Sequence, residues 1–375
     1  MINLLVFLAV LSVLVIIHEL GHFLMARALG IRVEEFAFGL PFTRPIFKFK
    51  RGETQWSIYP LLLGGFVRLY GEENEPKTNK KDSFWNRSAG SRLAVISAGV
   101  VMNILLAIGG FMALYNALGV PTDVVNKVTV EQLISGGPAE QAGIKVGDRL
   151  LAVEGQKVTK PEDYSRLVKS WGGLKTQVTV ERGDTMVMME GLFEKGADSF
   201  IVELTPRKDP PVNEGATGVA IESYPYVQTT KCPVFSVQCS VKIIQTGLSN
   251  TKLWLVRVFE GLRQMGKGIA EGQAPKDVAG PIGVYQITGL IATEGFWPVV
   301  ELIAVLSINL AVFNFLPIPA LDGGRALFVL IEVIARRRIP SHIEQKINSW
   351  GFAALLALMV AASFQDVIRL GWFGK

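Results

Sequence analysis

Residues 18 to 22 read His18-Glu19-Leu20-Gly21-His22, inside an apolar run from Ile2 to Leu29 that is long enough to cross a membrane. Ionisable side chains are costly at membrane depth, so such a group indicates a functional site. On a helix, residues four apart share a face, so His18 and His22 can offer two imidazole nitrogens to one metal ion beside Glu19. The spacing is typical of zinc hydrolases; the alternative is two histidines that only hydrogen-bond to neighbouring helices.

A catalytic zinc site needs a third protein ligand and an open position for water. A closed structural site would need four Cys or His ligands, and the chain offers only Cys232, Cys239 and His342 besides the motif. Met25 and Ala28 stand where soluble zinc proteases with a longer motif place glycine and histidine. We therefore expect a carboxylate as the third ligand.

The composition is that of a membrane protein, with 49% hydrophobic and 19% charged residues. We expect a polytopic α-helical membrane protein whose apolar segments each approach the roughly 20 residues that a bilayer requires. The predicted transmembrane helices are 1–29, 93–118, 297–324 and 350–375. The first lacks a basic start and a cleavage site, so we do not expect it to be removed as a signal peptide.

The basic residues predict the orientation. The segment 30–92 carries eleven of them, and the segment 325–349 carries Arg336, Arg337, Arg338 and Lys346. Both should therefore be cytoplasmic loops, which leaves the N-terminus and the region after the second span outside. We attribute the net charge of +5 to this topology and to contact with anionic membrane lipid, and we expect no nucleic-acid partner.

The region 119–208 has the composition of a soluble β-rich α+β domain. A Gly-Pro turn precedes a short Ala-rich helix that ends at Gly143, a strand follows at 149–153, a helix at 164–171, and another strand at 177–181. The stretch resembles a PDZ domain, which binds peptide ends by adding a strand to a sheet edge. The alternative is a spacer domain that binds nothing.

The region 209–296 is predicted to be a linker followed by an amphipathic helix. Pro210-Pro211 marks the linker, and apolar residues with helical spacing from Val237 to Ala270 predict a helix at the outer membrane interface. Cys232 and Cys239 would lie outside the cytoplasm, where a disulfide is permitted although nothing in the sequence requires it.

The third predicted span ends in Asn314-Phe-Leu-Pro317-Ile-Pro319-Ala-Leu-Asp322-Gly-Gly. Two prolines cannot continue a regular helix, so the backbone must unwind, and at membrane depth this is tolerated only beside protein or a water-filled cavity. Asp322 would project there, at the same cytoplasmic depth as His18 and His22, and would complete a two-imidazole, one-carboxylate set. Read alone, the segment could also be an Asp-Gly turn that ends a helix at the interface.

Together these residues resemble the site-2 protease family of intramembrane zinc metalloproteases. The resemblance rests on residues 18–22, the Asn-x-x-Pro-x-Pro-x-Leu-Asp-Gly run 314–323, Gly280-Pro-Ile-Gly283 and the inserted PDZ-like domain. It implies Zn2+, Glu19 as the catalytic base, the bacterial inner membrane, and single-span substrates such as anti-sigma factors or signal-peptide remnants. It also implies a membrane-associated β-hairpin at Glu53–Tyr70, with substrate-binding roles for Gly64, Gly65 and Asn314.

Two other classes of function compete with this interpretation. A membrane-anchored PDZ adaptor with a structural or vestigial metal site would not need Glu19. A metal-ion transporter would use the intramembrane histidines and Asp322 as a transit site, but such proteins show repeated broken helices, and no internal repeat is visible in the sequence.

Overall fold

The computed structural model describes residues 2–72, 81–211, 214–233, 236–272 and 280–369. The chain forms two compact units, one of Met1–Leu114 with Val241–Lys375 and one of Tyr115–Ser240. The helices are α1 (Ile2–Ala28), α2 (Ala89–Leu118), α3 (Pro138–Gln141), α4 (Pro161–Ser170), α5 (Val237–Ala270), α6 (Pro281–Glu294), α7 (Phe296–Phe315), α8 (Asp322–Ala335) and α9 (Ser341–Arg369). The strands are β1 (Val33–Leu40), β2 (Phe47–Arg51), β3 (Thr54–Ile58), β4 (Leu61–Leu69), β5 (Val120–Leu133), β6 (Arg149–Val153), β7 (Gln156–Lys157), β8 (Thr176–Met188), β9 (Gly191–Leu204) and β10 (Val219–Thr230).

Four helices of the first unit, α1, α2, α7 and α9, are long and apolar enough to cross a membrane. α9 is the least enclosed, since only 6% of its most apolar window is buried within the protein. Large apolar side chains on these helices are exposed, as Leu5, Leu105 and Leu358 are, and a bilayer would cover them. The chain is a membrane protein. α9 begins nine residues before the predicted start at 350, and residues 370–375 lie outside the described part.

The segment between α1 and α2 is a four-stranded sheet with the order β2-β3-β1-β4. The predicted hairpin over Glu53–Tyr70 is therefore wrong, because β1 lies between β3 and β4. β1 pairs in parallel with β3 and antiparallel with β4. The amide of Tyr59 donates to Phe38 O on β1, and Pro60 has no amide hydrogen to donate, so the chain crosses β1 instead of folding back on β3.

A buried apolar cluster fixes this sheet against the helices. Ala26 at the end of α1, Leu69 at the end of β4, Val95 on α2 and Val329 on α8 belong to it. These four elements are thereby held together near the histidine-bearing end of α1.

The third predicted span is shorter than expected. α7 ends at Phe315, the backbone unwinds through Pro317 and Pro319, and α8 begins at Asp322. α8 continues through Ala335, into the predicted loop 325–349. A Cβ on Gly323 would lie 2.1 Å from Leu316 O, so only glycine permits this tight return of the chain.

The second unit is built on a six-stranded sheet, β5-β10-β9-β8-β6-β7, in which β5 also pairs with β6. α4 packs Tyr164, Leu167 and Val168 into its core. β6 has the predicted bounds, whereas β8 runs seven residues past the predicted end at Glu181. The predicted domain end at 208 is too early, because β10 pairs with β5 from Val219 to Thr230.

The region 209–296 therefore contains more than a linker and one helix. α5 spans the predicted amphipathic stretch, Cys232 and Cys239 form a disulfide, and α6 begins directly after Gly280. The carboxylate of Asp366 on α9 accepts hydrogen bonds from the amides of Gly280 and Gly283 at 3.2 and 2.8 Å, which satisfies the first turn of α6.

Candidate metal centre

Three potential metal ligands converge where α1 meets the broken segment between α7 and α8. His18 Nε2 and His22 Nε2 are 3.2 Å apart, and Asp322 Oδ2 lies 3.0 Å from the first and 3.2 Å from the second. His18 and His22 lie one turn apart on α1, and Asp322 is the first residue of α8. The structure thus brings together the three residues that the sequence singled out across some 300 positions.

The triangle has the size that a zinc ion requires. Tetrahedral ligands with bonds of about 2.0–2.1 Å lie about 3.3–3.4 Å from one another, slightly more than the 3.0–3.2 Å seen here. His22 Nδ1 lies 2.8 Å from Val95 O, and a carbonyl can only accept a hydrogen bond, so neutral His22 presents a lone pair at Nε2. Asp322 Oδ2 is buried without a hydrogen-bond donor among the described residues. A carboxylate oxygen and imidazole nitrogens gathered in this way could hold a metal ion.

Asn103 on α2 contacts the other nitrogen of His18. The Asn103 amide lies 3.1 Å from His18 Nδ1, the side chain is fully buried, and its Oδ1 has no partner in the described structure. Oxygen and nitrogen of an amide exchange by a simple flip, which would let Oδ1 accept the Nδ1 hydrogen and turn the Nε2 lone pair of His18 toward the triangle. Asn103 was not predicted from the sequence, although a lone amide inside an apolar span is itself a signal.

Gly99 on α2 lets the helix backbone touch both imidazoles. A Cβ at this position would lie 2.5 Å from His22 Nε2 and 2.6 Å from His18 Cε1. A close approach of α2 to α1 also depends on Gly21, whose added Cβ would meet Ala98 O at 2.4 Å. Both glycines were missed as site residues, because a glycine in an apolar helix gives no chemical signal.

Glu19 lies with both histidines and Asp322 in the wall of a cavity of about 270 Å³. Gly65 on β4 packs against it, since an added Cβ would be 3.2 Å from Glu19 Cγ. Gly64 instead faces the side chain of Leu40. Of the predicted substrate-binding residues, Gly65 is therefore beside the catalytic candidate, while Asn314 is buried near the end of α7 and is not among the described residues that line this cavity.

A larger groove of about 820 Å³ adjoins the cavity along β4 and reaches α9. Glu72 and Arg325 form an ion pair in the wall common to both spaces. Glu72 also accepts the amide of Leu69 at 3.0 Å, so it ties the end of β4 to the helix that begins with Asp322. This pair was not predicted from the sequence, because its members are 253 positions apart.

Comparison with known proteins agrees with this chemistry. The model of peptidase family M50 matches residues 6–358. A relative from Clostridium perfringens, named as a candidate zinc metalloprotease, is 31% identical over 95% of this chain and 96% of its own length. The zinc metalloprotease RasP of Geobacillus kaustophilus is 27% identical over 96% of each chain. With two histidines, a carboxylate and a glutamate gathered between apolar helices, and with a family match across nearly the whole chain, this protein is a membrane zinc metalloprotease of peptidase family M50.

Proposed function

We propose that the protein cleaves single-span membrane proteins within or next to their transmembrane segments, with Zn2+ held by His18, His22 and Asp322. The observation that carries the proposal is the position of the ligand triangle, which is largely buried between helices long enough to cross a bilayer. Anti-sigma factors and signal-peptide remnants are the substrate classes that the family resemblance suggests.

Zinc in such a set lowers the pKa of a water molecule and polarises the scissile carbonyl. Glu19 would accept a proton from that water, a role supported by its position in the wall of the cavity that the three proposed ligands also line. The same carboxyl would then deliver the proton to the leaving amide nitrogen. Burial of the site keeps bulk water from competing for these hydrogen bonds.

The substrate must unwind before it can react, because a transmembrane helix hides its peptide bonds in internal hydrogen bonds. β4 is an edge strand of its sheet and borders the 820 Å³ groove, so an extended substrate segment can pair with it. Gly65 would bring that segment close to Glu19. We also propose that Asn314 engages the substrate, as the family resemblance implies, and that a shift of the unwound Pro317–Pro319 segment would give access to it.

The second unit is proposed to be a PDZ-like domain outside the bacterial inner membrane. A six-stranded sheet with α4 packed against it supports this assignment, and the distribution of basic residues supports the orientation, with the N-terminus also outside. The domain would then exclude substrates with large outer domains or bind their newly formed peptide ends.

The decisive experiment compares wild type with Glu19→Gln in cells that co-express tagged single-span substrates. We expect cleavage in wild type and none in Glu19→Gln, with the zinc content of the purified variant unchanged, because glutamine retains the volume but cannot take a proton. Glu53→Gln is the matched control, since Glu53 is an exposed carboxylate in the same N-terminal half. Equal cleavage by wild type and Glu19→Gln would refute the proposal and favour the adaptor alternative.

A further inference from the structure

A second open cavity, of about 780 Å³, lies at the N-terminal end of α2. It shares no described lining residue with the cavity and groove of the metal centre. Of the described residues that line it, three have cationic side chains and none has a carboxylate; they are Lys81, Trp85, Asn86, Arg87, Ser88, Ser91 and Arg338.

Two of the three cations of this cavity, Arg87 and Arg338, are held in place by hydrogen bonds to backbone carbonyls. Arg87 donates to Gly30 O at 2.6 Å, at the end of α1, and its Nε is buried with no hydrogen-bond partner in the described ranges. Neither Arg87 nor Lys81 forms an ion pair with any described residue. Arg338 lies with its guanidinium 5.1 Å from the ring centroid of Trp85 and donates to the Trp85 carbonyl. The cavity therefore gathers three positively charged side chains, two of which are positioned by contacts with the backbone.

The start of α2 adds hydrogen-bond donors to this charge. Ser88 caps the helix, since its Oγ accepts the amide of Ser91 at 3.3 Å, and the two hydroxyls are 3.0 Å apart. First-turn amides of a helix have no intrahelical acceptor, and the helix dipole favours an anion there. Gly90 leaves the approach open, because an added Cβ would meet no atom within 4 Å.

We propose that this cavity binds the phosphate of an anionic glycerophospholipid. Its location supports a lipid, since α2 is long enough to span the bilayer and its N-terminal end would lie at headgroup depth, with Trp85 at the interface. Val101 and Leu105 lie further along α2, about half exposed, where acyl chains can cover them. Basic pockets beside membrane helices are suited to anionic headgroups. The proposal is independent of the catalytic assignment.

The test uses the full-length protein in detergent, with bound lipid counted by native mass spectrometry after titration with phosphatidylglycerol or phosphatidylcholine. The variant Lys81→Gln/Arg338→Gln removes two cavity charges. Arg337→Gln/Lys346→Gln is the matched control, because both residues are exposed, neither lines the cavity, and the net charge falls equally. Each lost charge should weaken lipid binding about fivefold, so we expect roughly thirtyfold weaker phosphatidylglycerol binding in the first variant and little change in the second.

Three outcomes would overturn the proposal. An equal loss in the control variant would mean that the charge acts non-selectively. If phosphatidylcholine bound as strongly as phosphatidylglycerol, the site would not be selective for an anionic lipid. If millimolar inorganic phosphate displaced phosphatidylglycerol, the ligand would be a free phosphate. The single variant Lys81→Gln guards against misfolding, because Lys81 is exposed; it should show the fivefold part of the effect, and unchanged binding there would count against the site.

Discussion

The two units of the protein each bury a cluster of ionisable side chains, and the clusters differ in how their charges are balanced. In the second unit, two cations, Lys127 and Arg149, face two carboxylates, Glu181 and Glu194. Lys127 Nζ lies 2.7 Å from Glu181 Oε1 and 2.6 Å from Glu194 Oε1. Arg149 Nε lies 2.7 Å from Glu181 Oε1. We call these four residues the ion network. Two cations meet two anions, so each charge has a partner of opposite sign.

The candidate metal centre differs, because a carboxylate oxygen and two imidazole nitrogens face one another there. His18 Nε2, His22 Nε2 and Asp322 Oδ2 lie within 3.2 Å of each other, and the Asp322 oxygen has no donor in the described part of the chain. A balanced cluster needs no further ion to neutralise it, whereas an unbalanced cluster is suited to binding one. Charge balance, and not burial alone, therefore separates a structural cluster from a functional one.

The strongest test of this contrast is Asp322→Asn, which keeps the side-chain volume but removes the negative charge. The loss of zinc affinity should exceed the roughly 10–100-fold that changes to outer-shell partners of a metal ligand cost, and proteolysis should fall with it. Zinc per protein and the cleavage rate measure this. Asp366→Asn is the control, since Asp366 is also buried in the first unit but bonds only to the start of α6 among the contacts described above. A zinc-loaded Asp322→Asn protein would contradict the ligand assignment.

Much of the metal centre could be predicted from the sequence, because its parts carry strong local signals. His18, Glu19 and His22 have helical spacing, and Pro317 and Pro319 force the backbone break before Asp322. The order of strands around β1 could not be predicted, because a hairpin and a crossover use the same alternating pattern and differ only in long-range pairing.

The residues that the sequence analysis missed act through position more than chemistry. Gly99 and Asn103 matter because α2 passes directly beside the imidazoles, and nothing local to α2 encodes that contact. β10 was missed because Pro225 interrupts its pattern, although in the structure it pairs with Asn126 of β5. Tertiary packing decided each of these features.

Removal of one member of the ion network should lower the stability of the second unit and leave zinc binding unchanged. Arg149→Met leaves Glu181 and Glu194 with fewer cations, and breaking a buried pair costs about 3–5 kcal/mol. We expect faster hydrogen exchange in β6, β8 and β9, with zinc content unchanged. Arg166→Met is the control, because the Arg166 side chain is 74% exposed and its pair with Asp163 should contribute less than about 1 kcal/mol. Loss of zinc in Arg149→Met would contradict this contrast, because the ion network would then also affect metal binding.

Asn103 tests whether the metal centre depends on a positioning residue. Asn103→Leu removes the acceptor for His18 Nδ1, and zinc affinity should fall about 10–100-fold, measured by competition with a chelator. Asn103→Asp keeps an oxygen at that position, so it should retain most of the affinity. A purely packing role would be restored better by leucine than by aspartate, which is the reverse order.

The smallest effect concerns the pH dependence of the second unit. Burial raises the pKa of Glu181, but hydrogen bonds from Lys127 and Arg149 outweigh it and lower that pKa from 4.5 to about 2. A lowered carboxyl pKa adds stability that is complete above pH 4.5 and is lost as the pH falls toward 2. Protonated Glu181 still fills its space, so the loss of stability should be smaller than in Arg149→Met.

Hydrogen exchange in β8 and β9, corrected for intrinsic rates, should therefore accelerate below pH 4.5 in wild type and much less in Glu181→Gln. Glu203→Gln, at an exposed pair with Lys175, should follow wild type, and an unchanged pH profile in Glu181→Gln would mean that another carboxyl controls the acid sensitivity of this unit.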